Sequence, residues 1–139
     1  MSHYISHMFG IRLGGVFSDS ADMVALKTQL ASIVCTMRAE GLSPDLGDDE
    51  TGDVSHCLSQ ELEAHKGSYA VIAGVFNYWD FARAGEFARR VSEACSTDVM
   101  HMCWDEQRDT VQCQIWLAGK PLFESYENAI GRILRRVAS

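Results

Sequence analysis

Apolar and polar positions first alternate between Ile5 and Leu13, where Ile5, His7, Phe9, Ile11 and Leu13 share one face and Ser6, Met8, Gly10 and Arg12 the other. A period of two predicts a strand, ended by the Gly14-Gly15 pair. From Ser18 to Glu40 the spacing changes to three and four. Met23, Leu26, Leu30, Ile33, Val34 and Met37 form one stripe, Asp19 and Asp22 sit at the positive end, and Gly41 stops the helix. Ser55 to Lys66 reads as a short helix with Leu58, Leu62 and His65 on one side and Gly67 at its end.

Tyr69 to Phe76 is apolar on both faces of a period-two repeat, the pattern of an interior strand. Asn77 is expected to cap the next helix, with Asp80 three residues on, and that helix runs to about Cys95. Phe81, Ala84, Ala88, Val91 and Cys95 make its buried stripe, and Arg83, Glu86, Arg89, Arg90 and Glu93 stay in water.

Val99 to Trp104 and Thr110 to Leu117 alternate around the polar run 105–109, predicting a hairpin. Val111, Cys113, Ile115 and Leu117 form an apolar face that matches Met100, Met102 and Trp104 when facing residue numbers sum to an odd value. A two- or four-residue turn gives that parity. It leaves His101, Cys103, Gln112, Gln114 and Trp116 on the opposite face, and the apolar set is expected to be the core set. Beyond it, Ala118-Gly119-Lys120-Pro121 reads as a turn and Leu122-Phe123 as a short edge strand. Tyr126, Ile130, Ile133, Leu134 and Val137 mark a last helix, with Arg132, Arg135 and Arg136 near its C-terminus.

This order predicts one α+β domain over residues 1–139, built on a mainly antiparallel sheet of four to five strands with helices largely on one face. A ferredoxin-like variant is among the arrangements that fit. A hydrophobic content of 47% with 2 prolines excludes a disordered chain. No apolar run reaches the roughly 18 residues of a membrane span.

The 5 cysteines (Cys35, Cys57, Cys95, Cys103, Cys113) form no CxxC pair and read as reduced thiols. The start of the chain lacks the pattern of a secretory signal, so a cytoplasmic address is expected. A net charge of −7 disfavours nucleic acid as a partner and favours a basic protein. Oligomeric state is not readable.

The acids concentrate in a loop over 42–54, broken by Pro44, where Asp45, Asp48, Asp49, Glu50 and Asp53 stand without a basic residue. No frame within it places ligands as a calcium loop requires. It reads as a mobile solvated connector or as a contact surface for a basic partner. In the corner Asn77-Tyr78-Trp79-Asp80, Tyr78 and Trp79 suit either an interface anchor or a core cap.

His101-x-Cys103 with Cys113 is the arrangement nearest a metal site, but the expected register turns Cys113 to the other face and no further pair completes four ligands. No signature of cysteine or serine catalysis surrounds Cys57, Cys103 or His101. No metal, cofactor or catalytic residue is therefore assigned.

The run Trp116-Leu117-Ala118-Gly119-Lys120-Pro121-Leu122-Phe123, followed by Asn128-Ala129-Ile130 in a helix, resembles the hairpin-then-helix ending of small bacterial immunity proteins of interbacterial competition. The resemblance implies a cytoplasmic, non-enzymatic protein that binds one toxin, and it transfers no site residue. The acidic balance and the acidic loop agree with a stoichiometric binder of a basic toxin. Two alternatives stand beside it. One is a small-molecule-binding or regulatory domain with a pocket between sheet and helices, lined by Tyr69, Trp104, Trp116 and methionines; the other is a small enzyme using Cys103 or His101.

Overall fold

A computed structural model describes residues 4–13, 20–42, 44, 46, 48, 50–64, 67–77 and 79–128. In chain order the described elements are β1 (Tyr4–Leu13), α1 (Ser20–Ala39), β2 (Leu58–Ala64), β3 (Gly67–Asn77), α2 (Phe81–Cys95), β4 (Asp98–Asp105), β5 (Thr110–Leu117) and β6 (Lys120–Asn128). The strands form one sheet in the order β2-β3-β1-β4-β5-β6, with every neighbouring pair antiparallel. The first four strands and both helices make the split βαββαβ arrangement of ferredoxin-like domains, which β5 and β6 extend on one side. The fold is thus α+β, and among the described residues the sheet has six strands where four to five were expected.

The alternating pattern of β1 explains its central place. Ile5, His7, Phe9 and Ile11 are buried toward the helices, together with Ala70 and Ile72 of β3 and Val99 of β4. In α1 the predicted stripe supplies buried Leu26, Leu30, Val34 and Met37. Gly41, at φ 80°, ends the helix as Leu42 N–H donates to Met37 O at 3.0 Å. α2 buries Ala84, Phe87, Ala88 and Val91 against the sheet, and an Arg90–Glu40 ion pair ties it to the end of α1. Its cap is Asp80, whose Oδ1 accepts from Arg83 N–H at 2.8 Å. The expected cap, Asn77, is instead the last residue of β3.

Two further expectations are corrected. The segment read as a helix from Ser55 to Lys66 forms a turn and then β2, while residues 65–66 lie outside the described part. Leu58 and Leu62 fit a helical stripe, but pairing with β3 claims this stretch as an edge strand, and a register irregularity between Ser59 and Leu62 breaks its alternation. The short strand expected at Leu122-Phe123 is the nine-residue β6. It includes Tyr126, and the remainder of the predicted last helix lies outside the described residues.

The β4–β5 register is the expected one. Met100, Met102 and Trp104 face Ile115, Cys113 and Val111 across a turn at 106–109. The faces are nevertheless opposite to expectation: His101 and Cys103 are buried toward α2, whereas Met102 and Trp104 are exposed. No helix among the described residues is long and apolar enough to cross a membrane.

Candidate functional site

Of the seven residues proposed for partner binding, the structure describes Asp48, Glu50, Asp53 and Trp79; Asp45, Asp49 and Tyr78 lie outside the described residues. The acidic segment is a built turn at its described positions. Asp48 Oδ1 accepts from Glu50 N–H at 2.9 Å and Thr51 N–H at 3.1 Å, while Gly52 N–H donates to Asp48 O at 2.8 Å. Asp53 Oδ1 accepts from Ser55 N–H at 2.9 Å and from the Ser55 hydroxyl at 2.6 Å. Asp48, Glu50 and Asp53 are all exposed. Donation by the Thr51 and Glu50 amides holds the Asp48 carboxyl below its ordinary value, and donation by Ser55 does the same for Asp53.

A single guanidinium fastens this turn to the helical layer. Arg38, in the last turn of α1, donates to Asp48 O at 2.6 Å and to Leu46 O at 2.8 Å. Gly52, at φ 72°, presses so close that a Cβ there would stand 2.7 Å from Ala31 O of α1. Buried Leu46 and Val54 on either side of the turn complete the attachment. At its described positions the segment is thus tied to α1 by hydrogen bonds and apolar contact.

Trp79 does not join the acidic turn. It is 1% exposed and packs on Phe9, His7 and Phe87 at ring-centroid distances of 5.7, 5.4 and 5.9 Å. Of the two roles open to this corner, the ring occupies that of a core cap, and its anchor role would require the core to open.

Beside Trp79 lies an arrangement that sequence reasoning missed. His7 of β1 and His101 of β4 meet with Nδ1 and Nε2 2.9 Å apart, and His7 Nε2 lies 2.6 Å from Trp79 O. A carbonyl only accepts, so neutral His7 carries its proton on Nε2. Its Nδ1 lone pair then accepts from His101 Nε2–H, which leaves His101 Nδ1 as an acceptor. Gln114, opposite His101 on β5, lies close enough to act on the ring's charge state but outside hydrogen-bond geometry. Burial is the first cause that lowers both pKa values, that of His101 to about 3; the His7 charge is the second cause there, and the Trp79 carbonyl partly opposes it at His7.

The nearby thiol is also inert. Burial, with Asp105 and Asp80 behind it, pushes Cys103 up to about 12, and burial raises Cys57, Cys95 and Cys113 as well. Cys113 stands opposite Met102, on the face of the sheet away from His101 and Cys103, as the register required. These groups are held away from the ionisation states that a nucleophile or an acid–base pair would need near neutrality.

The second face of the sheet carries large apolar side chains. Met102, Trp104, Leu117 and Phe123 are 37%, 44%, 39% and 51% exposed. Beside them runs a groove of about 390 Å³ lined by Met8, Gly10, Tyr69, Val71, Met100 and Ile115, with the Asp98 carboxylate at one end of β4. It brings Tyr69 and two methionines together, but on the opposite side of the sheet from the expected pocket; Trp116 faces the helical core.

No family model matches the chain, and no curated protein or solved structure matches it either.

Proposed function

We propose that the protein is a non-enzymatic binding protein, acting in the bacterial cytoplasm as an immunity protein that neutralises a basic toxin by stoichiometric complex formation. The observation that carries this reading is the acidic turn held on α1: Asp48, Glu50 and Asp53 are exposed, and the backbone that presents them is fixed by Arg38 and Gly52 before any partner arrives. A preformed turn loses little conformational freedom on docking. Its charge adds to a chain total of −7, which draws a basic partner from a distance. The raised thiol pKa values and the neutral buried histidines support binding over catalysis.

Co-expression tests the proposal. A toxin-like protein encoded immediately upstream should arrest growth when produced alone, and the present chain should restore growth and co-purify with it at equal stoichiometry. Equal growth arrest with and without the chain would refute the immunity reading.

A further inference from the structure

We infer that the face of the sheet away from α1 and α2 is the interface of a homodimer, in which two copies stack face to face. Among the described residues, both helices pack on one face, and the other displays Met102, Trp104, Leu117 and Phe123. Solvent-exposed apolar clusters on this scale mark association surfaces.

The size of the face suits a second copy. Six strands, typified by the eight residues of β4 and β5, make a surface about 29 by 26 Å at about 4.8 Å per strand and 3.3 Å per residue. That is roughly 750 Å² per copy and about 1,500 Å² for the pair, within the range of about 1,200–2,000 Å² of stable specific interfaces.

The relief of the face suits two-fold symmetry. Trp104, Met102 and Phe123 stand exposed over β4–β6, while the groove crosses β3, β1, β4 and β5, with Tyr69, Val71, Met8 and Gly10 lining its β3–β1 part. A two-fold axis between the sheets, running along the strands, sets the exposed side chains over β4–β6 of each copy opposite the β3–β1 part of the other's groove, the self-complementary arrangement an isologous contact needs. Charge points the same way. Arg12 and Asp98 lie side by side on this face and pair at 3.4 Å, so neither asks for a countercharge from a partner. The acidic turn stands on α1 in the helical layer, so dimerisation and toxin binding use separate surfaces and either can fail alone.

Sedimentation velocity of the full-length protein from about 1 to about 100 µM tests this, since mass action favours the dimer as concentration rises. The parent should reach twice the chain mass. Met102→Glu and Trp104→Glu, at exposed positions, should each weaken association at least about tenfold while leaving the circular dichroism spectrum unchanged. Val24→Glu, on exposed α1, should behave as the parent. A parent that stays at one chain mass overturns the inference, whether an apolar small molecule, another protein or residues 129–139 then cover the face. So does a dimer that both face substitutions leave intact.

Discussion

His7 and His101, separated by 94 residues in sequence, stack with ring centroids 5.2 Å apart and share a 2.9 Å contact between Nδ1 and Nε2 in the core. Phe9 and Phe81 stack on His101 at 4.6 and 5.1 Å, so a charge on that ring would be enclosed by aromatic carbon. Burial therefore favours the neutral form of both rings.

That fixes the sign of a pH dependence. Both folded pKa values lie below 6.5, that of His101 at about 3, so between these limits the unfolded chain binds protons that the folded chain refuses. Stability should be insensitive to these groups above pH 6.5 and fall as the solution is acidified, by up to about 1.4 kcal/mol per pH unit from His101, with His7 adding in the same direction. Urea midpoints at pH 7.5, 6 and 5 measure it. His101→Phe should flatten the slope, and a slope unchanged by that substitution would contradict the assignment.

The buried ring of Trp79 leads to a second expectation. Trp79→Ala should cost about 3–5 kcal/mol, as large core truncations do, and should lower the thermal midpoint steeply. A loss below about 1 kcal/mol would show the ring to be less enclosed than the structure places it.

Gly52 tests the attachment of the acidic turn. Its φ of 72°, and the 2.7 Å that would separate an added Cβ from Ala31 O, leave no room for a side chain. Gly52→Ala should therefore destabilise the protein by about 1–3 kcal/mol, read as a fall in urea midpoint. Unchanged stability would mean that the turn does not sit against α1.

Arg38→Met isolates the guanidinium. Losing the donors to the Leu46 and Asp48 carbonyls should loosen the turn locally, so the Gly52 amide, bonded to Asp48 O, should exchange with solvent at least about tenfold faster. Amides in β1 should keep their protection. Equal loosening throughout the chain would instead make Arg38 a general stabiliser.

Much of the framework was legible because it rests on local periodicity. The alternation of β1, the stripe of α1, the extent of α2 and the parity of the β4–β5 hairpin could each be read within a few consecutive residues. The sidedness of β4 could not. Its apolar set, Met100, Met102 and Trp104, looks like a core face, but α2 lies over His101 and Cys103, where stacking on Phe9 and Phe81 accommodates an imidazole. β2 was obscured because Leu58 and Leu62 match a helical repeat and an edge strand tolerates polar residues. The acids of the turn were visible as composition, while their order depends on Arg38 reaching carbonyls eight and ten residues away. The histidine pair needed the β1–β4 pairing, a contact that no local pattern announces.

The most direct test of the binding account is the association rate with a captured basic partner, measured by stopped-flow mixing at two ionic strengths. Neutralising Glu50 alone, and then Asp48, Asp49 and Glu50 together, separates charge from turn structure, since Asp48 also orders the backbone. Both variants should associate more slowly at low salt, with the difference shrinking near 0.1 M, where exposed charges are screened over about 10 Å. Rates and salt dependence that match the parent in both variants would contradict it.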